Sequence, residues 1–357
     1  MTGTDASLRA KGEKEAMEYR TLGRTGIQVS SLCLGAMMFG AWGNPDHDEC
    51  VRMVHAALDA GLNFVDTADV YAFGESEEIV GRALRGRRDE VVLATKVNNA
   101  MNDDPNHAGN SRRWVVREVE ASLRRLQTDW IDLYQIHRPD PHTDLDETLG
   151  ALSDLVHQGK VRAIGSSTFP AELIVEAQWV SLERGRERFS TEQPPYSIFA
   201  RGVEAHVLPT CERFGLGAIV WAPLNGGWLT GKYRRGSEPP PGSRAAREPG
   251  HFDYDDPIRE RKLDLVEELV ALASDVGCPL THLALAFVLR HPAVTAAIVG
   301  PRTLAQLEDQ LGAEAVVAPD DVLDRIDVLV PPGTNLNPRD AGYVPPALAE
   351  ARLRRRG

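Results

Sequence analysis

The chain lacks most of the features that mark secreted, membrane-spanning or nucleic-acid-binding proteins. Only four of its 357 residues are cysteines, too few and too scattered for a disulfide framework or paired metal ligands. No apolar run approaches the roughly 18 residues of a membrane helix. Basic residues are in the minority, with 40 Lys and Arg against 52 Asp and Glu, which argues against a nucleic-acid surface over the whole chain. We therefore expect a cytoplasmic protein without nucleic-acid or membrane partners.

Both ends of the chain are polar and charged. Residues 1–16 lack the apolar core of a signal peptide and are predicted to be a flexible leader. Residues 336–357 finish in an arginine-rich run and are predicted to be a C-terminal tail. Residues 17–335 are then expected to form a single domain. The cysteines within it are interpreted as packing residues: Cys33, Cys50, Cys211 and Cys278.

Eight apolar, strand-like runs follow one another at intervals of 26 to 41 residues, except for a last interval of 78 residues. About 30 residues is the length of a strand, a crossover helix and the next parallel strand. The segments between the runs carry apolar residues three or four apart, such as Val115, Val119 and Leu123, which is typical of amphipathic helices. Eight such units predict a closed (β/α)8 TIM barrel with its active site at the carboxyl ends of the strands. The runs end near Gly35, Asp66, Lys96, His137, Ser167, Gln193, Trp221 and Val299.

A doubly wound α/β sheet is the competing architecture. It is disfavoured because no Gly-x-Gly-x-x-Gly follows the first strand, and Gly215-Leu216-Gly217 precedes a strand instead of opening a helix. Two additions to the barrel are predicted. Extended runs between Tyr19 and Leu34, broken at Gly23 and Gly26, indicate a hairpin that closes the barrel bottom. In the long last interval, Arg234–Asp256 is interpreted as a lid loop, followed by a long helix.

Four residues able to share one proton lie at three of these strand ends: Asp66, Tyr71, Lys96 and His137. A tyrosine hydroxyl, with a reference pKa of about 10, acts as an acid near neutrality only if a cation stabilises its phenolate. Lys96 is the candidate cation, and Asp66 would hold its ammonium in place. His137 would donate a hydrogen bond to the oxygen of a carbonyl substrate. The four residues together predict carbonyl reduction.

Two other chemistries are possible for residues at these strand ends. A lysine at a barrel strand end forms Schiff bases when its pKa is depressed, so an aldolase built on Lys96 is an alternative. Asp66 argues against it, since a carboxylate keeps the ammonium charged. His137 and His142 invite a metal interpretation, but prolines separate them and no third ligand is evident, so no metal is expected.

Phe64-Val65-Asp66-Thr67-Ala68 with Tyr71, Ala94-Thr95-Lys96 and Gln135-Ile136-His137 resemble the motifs of the aldo-keto reductase family. The similarity runs from about Met17 to Leu329. It implies a (β/α)8 barrel that binds NADPH in an extended form across its mouth. It also implies that Tyr71 is the general acid, that Asp66 and Lys96 tune it, and that His137 orients the carbonyl.

The same resemblance implies a cofactor site. Ser167, Thr168 and Gln193 would bind the nicotinamide carboxamide, Trp221 would stack on its ring, and Arg302 would bind the 2′-phosphate. We also expect the pocket for a small-molecule carbonyl substrate to be walled by Met38, Trp42, Trp228 and parts of Arg234–Asp256. The remaining cofactor-binding residues are expected to be Gly35, Ala36, Met37, Asp66, Ala222, Pro223, Leu224, Asn225, Gly226, Lys232, Gly300, Gln306, Asp309 and Gln310.

Three positions depart from the family pattern. Thr168 and Gln310 stand where asparagine is common, and Ala222 stands where serine is common, so a hydroxyl donor near the diphosphate is lost. These changes bear on cofactor affinity and not on the reaction. A channel-associated branch of the family makes an NADPH-binding, redox-sensing regulatory subunit with little turnover the alternative function. The carbonyl substrate and the oligomeric state stay open at this stage.

Overall fold

The computed structural model describes residues 17–250, 252 and 254–354. The leader predicted at residues 1–16 lies outside the described residues. The chain enters through an antiparallel hairpin, β1 (Tyr19–Thr21) and β2 (Gln28–Ser30). Leu22 and Val29 of this hairpin are fully buried, where they pack against the residues that fill the barrel. The predicted hairpin is thus present at the barrel bottom.

Eight parallel strands close into a barrel, which confirms the predicted architecture. Each strand pairs with its sequence neighbours, and the last pairs with the first to close the ring. Every strand ends within one residue of the position that the sequence indicated. The strands are β3 (Leu32–Gly35), β4 (Phe64–Asp66), β5 (Val92–Val97), β6 (Ile131–Ile136), β7 (Val161–Ser167), β8 (Thr191–Gln193), β9 (Gly217–Val220) and β10 (Val294–Val299).

Helices lie between the strands and cover the barrel. The predicted periodicity is seen in the third of them, where Val115, Val119 and Leu123 are buried against the barrel. The helices are α1 (His47–Asp59), α2 (Glu75–Ala83), α3 (Arg112–Leu126), α4 (Leu145–His157), α5 (Ala171–Arg184), α6 (Val207–Phe214), α7 (Arg244–Arg247), α8 (Ile258–Val276), α9 (Leu280–Leu289), α10 (Leu304–Leu311), α11 (Asp320–Leu329) and α12 (Pro346–Ala349).

The core has two layers separated by the strands. Inside the barrel, small and large apolar side chains such as Phe64, Ala94 and Leu133 fill the lumen, so the barrel is a packed core and not a pore. Outside it, a larger cluster joins the strands to the helices. In parallel strands both faces are buried, and for this reason apolar residues dominate most of these strands, such as Gly217–Val220 and Val294–Val299.

The residues after α11 return to the carboxyl end of the barrel. Ala200 pairs with Asn335, and Leu336 N donates to Phe199 O over 2.9 Å. A methyl group added at Gly342 would stand 2.7 Å from Thr168 Cγ2 and 2.9 Å from Trp221 Cζ2. The segment therefore lies beside the strand ends, while the domain boundary we placed at residue 335 stays a prediction.

Among the described residues, no single helix is long and apolar enough to cross a membrane. Helices α8 and α9 pass that test only when joined, across a bend of 85°.

Candidate active site

The turn after β4 presents Asp66 and Tyr71 at the barrel mouth. Asp66 is the last residue of β4 and lies in register with Gly35 and Ala94 of the neighbouring strands. The chain then turns sharply, and Ala72 and Phe73 take φ angles of 47° and 55°. Such left-handed angles cost energy in residues other than glycine, so the surrounding contacts must hold this turn in place.

Lys96 is the centre of the predicted cluster. Its Nζ lies 2.5 Å from Asp66 Oδ1, 2.8 Å from Thr67 O and 3.3 Å from Tyr71 Oη. Lys96 is 0% exposed and Asp66 is 2% exposed. A buried ammonium and a buried carboxylate are tolerated only because each satisfies the other. The structure therefore brings three of the four predicted catalytic residues into one hydrogen-bonded group.

His137 completes the group from the end of β6. Its ring stands edge-on to the Tyr71 ring, with centroids 5.7 Å apart. Asn99 Nδ2 lies 3.1 Å from His137 Nδ1. Since an amide nitrogen is a donor, Nδ1 is the acceptor and Nε2 carries the ring proton. Burial and the charges of Lys96 and Arg138 hold the pKa of His137 well below its usual range, so the ring is neutral.

Burial and the charges inside the cluster together set the pKa values of its side chains. It raises the pKa of Tyr71, and the nearby charge of Lys96 offsets only part of that rise. Burial lowers the pKa of Lys96, but the charges and hydrogen bonds of Asp66 and Tyr71 outweigh it, so the net shift is upward. Lys96 lowers the pKa of the Tyr71 hydroxyl, which is the predicted direction, but burial raises that pKa by more. At neutral pH Tyr71 thus carries its proton and Lys96 is charged.

The residues predicted for the nicotinamide follow β7, β8 and β9. Gln193 Nε2 donates to Asp66 Oδ2 over 2.9 Å, and Ser167 Oγ donates to Gln193 O over 2.9 Å. Thr168 has a φ of 60°, which turns the chain away from the barrel at this point. Trp221 comes directly after β9, and its Nε1 is buried without a hydrogen-bond partner in the described part of the chain. We call Asp66, Tyr71, Lys96 and His137 the acid cluster. Gln193 contacts it directly, and the binding of a nicotinamide by these side chains stays a prediction.

Gly35, Ala36 and Met37 were predicted at the same edge, where β3 ends. Ala36 N donates to Asp66 O over 2.8 Å, which ties this edge to the acid cluster. Gly35 has no room for a side chain, because an added Cβ would stand 2.5 Å from Ile298 Cγ2. Gly35 and Ala36 therefore lie beside Asp66, with Met37 next in the chain, and contact of the three residues with a cofactor stays a prediction.

The loop after Trp221 is the predicted diphosphate segment, and its backbone is unusual. Ala222 and Asn225 have φ angles of 55° and 46°, and Gly226 also takes a positive φ, of 67°. Pro223 and Leu224 complete this tight loop. Asn225 is not free in the structure, since its Nδ2 donates to Asp340 Oδ2 over 3.0 Å and its Oδ1 accepts from Lys262 Nζ over 2.9 Å.

Four basic side chains surround the far end of this loop. Burial lowers the pKa of Lys232, and the charges of Arg302, Arg244 and Arg247 lower it further. Lys232 Nζ lies 3.3 Å from the position that a Cβ on Gly227 would occupy. Arg244 Nη1 lies 3.7 Å from the corresponding position on Gly226, so both cations are close to the loop. Cations placed so close together repel one another, and a bound polyanion removes that repulsion. We call these four residues the phosphate cluster.

Arg302 stands at the start of α10. Its Nη1 donates to Gly242 O over 2.6 Å and its Nη2 lies 3.5 Å from Gly43 O, so it joins the predicted lid loop to the barrel. Its Nε, like Gln310 Oε1, is buried without a hydrogen-bond partner among the described residues. Such orphaned polar atoms fit a polar ligand. The residues present thus fit a dinucleotide phosphate.

The other residues predicted for the adenosine end have protein partners. Gln306 Oε1 accepts from Arg302 N over 2.8 Å and so orients the main chain of the arginine. Asp309 contacts His282 through both its carbonyl and its carboxylate. Gly300 is exposed at the end of β10. All three lie at the N-terminal end or on the exposed face of α10, near Arg302.

Of the three residues predicted to line the substrate pocket, Trp228 lies elsewhere in the structure. The Trp42 ring is 39% exposed and lies 6.3 Å from the Tyr71 ring, and Met38 is buried nearby in the loop after β3. Trp228 differs, because it is 1% exposed and stacks on Phe252 with ring centroids 5.0 Å apart. The structure thus places Trp228 in the apolar core of the lid loop, with no surface left for a substrate.

Sequence reasoning missed several residues of this site. Gln135 Nε2 donates to the second oxygen of Asp66, and Asn99 orients His137. Arg138 lies between His137 and Thr168, with its Nη1 2.7 Å from His137 O and 2.7 Å from Thr168 Oγ1. For Gln135 and Arg138 the only indication in the sequence was position, since both lie within two residues of His137.

No group of three or more potential metal ligands is found in the part of the chain that the structure describes. All four cysteines are free thiols, and Cys33, Cys50 and Cys211 are buried, as expected of packing residues.

Comparison with known proteins agrees with this geometry. The family model described as "Aldo/keto reductase family" matches residues 31–331. An uncharacterized oxidoreductase, YrpG of Bacillus subtilis (strain 168), is 40% identical, and the match covers 88% of this chain and 96% of YrpG. The aldo-keto reductase YhdN of the same organism is 37% identical, over 82% of this chain and 87% of its own. A probable voltage-gated potassium channel subunit beta of Oryza sativa subsp. japonica is 36% identical, over 88% and 97%.

The family match and the relatives named as oxidoreductases or aldo-keto reductases, together with the barrel, place this chain in a family of oxidoreductases. The chain belongs to the aldo-keto reductase family, whose members are generally NAD(P)H-dependent oxidoreductases.

Proposed function

We propose that this chain reduces an aldehyde or ketone to an alcohol with NADPH, and that Tyr71 is the proton donor. The observation that carries the proposal is the position of Lys96 Nζ, 2.5 Å from Asp66 and 3.3 Å from the Tyr71 hydroxyl. This ammonium stabilises the phenolate that remains after the proton has left. The His137 ring lies edge-on to the Tyr71 ring, with the ring centroids 5.7 Å apart.

Each residue of the acid cluster has its own role in the proposed reduction. A bound reduced nicotinamide supplies a hydride to the carbonyl carbon. Tyr71 Oη gives its proton to the carbonyl oxygen, so the product is an alcohol and the tyrosine is left as a phenolate beside Lys96. His137 Nε2–H donates a hydrogen bond to the same oxygen and fixes its direction. Water then returns a proton to Tyr71. Because the pKa of Lys96 is raised, its amine is not the free nucleophile that a Schiff-base aldolase requires.

Preference for NADPH over NADH is supported by the phosphate cluster. Lys232, Arg244, Arg247 and Arg302 give a local positive field on a chain with a net charge of −12. The 2′-phosphate is the group that distinguishes the two cofactors, and arginine binds phosphate with paired donors. We infer NADPH as the cofactor and a cytoplasmic location, where this cofactor is available.

A second function, an NADPH-binding redox sensor that signals to a partner protein, is favoured by one surface feature. Val175, Trp179 and Leu182 form an apolar stripe on α5, and Trp179 is 60% exposed. Exposed stripes of this kind mark protein contacts. Three relatives are named voltage-gated potassium channel subunit beta, which supports this alternative. The intact acid cluster favours the reductase.

The test is an initial-rate screen of the purified protein against a panel of aldehydes and ketones, with NADPH and NADH in parallel. We expect turnover that depends on NADPH and is weaker with NADH. Negligible turnover on the whole panel, together with a stoichiometric partner that co-purifies, would favour the sensor instead.

A further inference from the structure

Arg138 is a cation at the barrel mouth that the proposed reaction does not use. It follows His137 directly and is half-buried. Both of its hydrogen bonds come from Nη1, to His137 O and Thr168 Oγ1. Its guanidinium carbon lies 5.9 Å from the centre of the Trp221 ring. Arg138 thus stands between the residue that orients the carbonyl and the residue predicted to face the nicotinamide.

The rest of the guanidinium group has no protein partner in the part of the chain described. Its Nε and Nη2 donate to no described residue, and neither is among the buried atoms that lack partners. A ligand in the mouth can therefore reach them. These two nitrogens form the side edge of the guanidinium, whose parallel N–H groups match the two oxygens of one carboxylate.

The neighbouring acids do not neutralise Arg138. Asp66 is paired with Lys96. Glu192 is buried, its carboxylate oxygens bind Ser166 Oγ and Phe169 N, and burial raises its pKa to about 8. Glu192 is therefore mostly protonated at neutral pH. Among the described residues Arg138 makes no ion pair, so the site has one positive charge in excess of its carboxylates.

We propose that Arg138 binds a carboxylate of the substrate, so the carbonyl compounds preferred by this chain are oxo acids or formyl acids. The inference rests on the proposed reductase function and narrows its substrate class. Arg138 Nη1 donates to His137 O over 2.7 Å, and the His137 ring lies 5.7 Å from the Tyr71 ring, so one small molecule could reach both Arg138 and Tyr71. A carboxylate on the free edge of Arg138 would orient the carbonyl toward Tyr71 and His137, which makes Arg138 a specificity residue.

The test compares two para-substituted benzaldehydes, one with a carboxylate and one with its uncharged methyl ester. Initial rates with NADPH are measured for 4-carboxybenzaldehyde and for its neutral methyl ester, methyl 4-formylbenzoate. The readout is the ratio of the two kcat/KM values, so any loss common to both substrates cancels. We expect the wild type to prefer the acid, and Arg138→Met to lower the ratio roughly 10- to 100-fold, as for a lost hydrogen bond to a charged group. Arg138→Lys, which keeps the charge but not the fork, should fall in between.

Two results would overturn the proposal. A wild-type ratio at or below one would show no preference for the carboxylate. An unchanged ratio in Arg138→Met, with equal losses for both substrates and weaker NADPH binding, would make Arg138 a support for Thr168 and the cofactor only. If neither aldehyde is reduced by the wild type while NADPH still binds, the reductase function itself fails.

A binding measurement on the wild type covers the case in which the variants do not fold. Reduction of the methyl ester is inhibited with 4-methylbenzoate and, as the matched neutral probe, with 4-methylbenzamide. We expect the benzoate to compete at a concentration at least about tenfold lower. Equal inhibition by the two probes would contradict a carboxylate site at Arg138.

Discussion

The acid cluster and the phosphate cluster are built in opposite ways. Asp66, Lys96 and His137 lie at strand ends, are at most 5% exposed, and are held by side-chain hydrogen bonds. The phosphate cluster lies on a loop and at helix starts, and the side chain of Arg302 is held by main-chain carbonyls. The ammonium of the first cluster is paired with a carboxylate of the protein, whereas the second has an excess of cations, of which Glu248 offsets only part. We therefore expect the geometry of the acid cluster to be set by the protein alone, and the proposed affinity for a phosphate to depend on charge.

The largest expected effect comes from breaking the acid cluster at Lys96. In Lys96→Met the Asp66 carboxylate stays buried without its cation, which should cost about 3–5 kcal/mol of unfolding free energy. The same change should lower kcat/KM by about 10²- to 10⁴-fold, because the phenolate loses its stabilising charge. Urea unfolding and initial rates measure the two effects.

The double variant Asp66→Asn/Lys96→Met is the control for the Lys96 prediction. It removes both charges, so most of the stability should return while the activity does not. If Lys96→Met alone is as stable as the wild type, the cluster is not the closed ion pair described here.

Glu192 can be compared with Asp66, because both are buried carboxyl groups but Glu192 has no cation bonded to it. Its folded-state pKa is raised from 4.5 to about 8. Between those values the unfolded chain has lost this proton and the folded chain keeps it, so the contribution of Glu192 to stability falls as pH rises through that window. Glu192→Gln has no proton to lose and should be more stable than the wild type at pH 9, by up to about 5 kcal/mol.

At pH 5 the Glu192→Gln variant and the wild type should differ much less. Urea unfolding at both pH values is the measurement. An equal difference at pH 5 and pH 9 would show that Glu192 does not titrate in this window.

The smallest expected effect is at the phosphate cluster. Arg302→Met should weaken NADPH binding roughly 10- to 100-fold and leave NADH binding nearly unchanged. In high salt, which screens the attraction between arginine and phosphate, the variant and the wild type should bind NADPH with similar affinity. Fluorescence titration of each cofactor measures the dissociation constants. Arg290→Met is the matched control, because Arg290 is an exposed arginine paired with Asp320 at the end of α9, before β10 begins. Equal weakening of NADPH and NADH by Arg302→Met would contradict a 2′-phosphate site.

The two clusters also differ in how far the sequence could reveal them. Asp66, Lys96 and His137 each interrupt an apolar run, so the strand ends and the residues at them follow from local pattern and barrel topology. Arg244 and Arg247 lie in a stretch rich in proline and glycine, where no periodicity shows which side chains meet. Trp228 shows the same limit, since its packing against Phe252 depends on how the lid loop folds on itself.

Arg138 was overlooked for a different reason. A charged residue in Arg138-Pro139-Asp140-Pro141 is typical of an exposed turn, and only the fold shows that it lies beside Thr168 and Trp221. Asp340 is a similar case, because 115 residues separate it from Asn225, with which it is hydrogen-bonded. Contacts between distant segments are set by tertiary packing, which a single sequence does not display.

The most direct test of the account is the rate of NADPH oxidation by Tyr71→Phe with 4-nitrobenzaldehyde, at a cofactor concentration shown to be saturating. The substitution removes one hydroxyl and keeps the ring, so the account predicts unchanged NADPH affinity and a loss of about 10²- to 10⁴-fold or more in kcat. Turnover by Tyr71→Phe within a few fold of the wild type would contradict the assignment of Tyr71 as the proton donor.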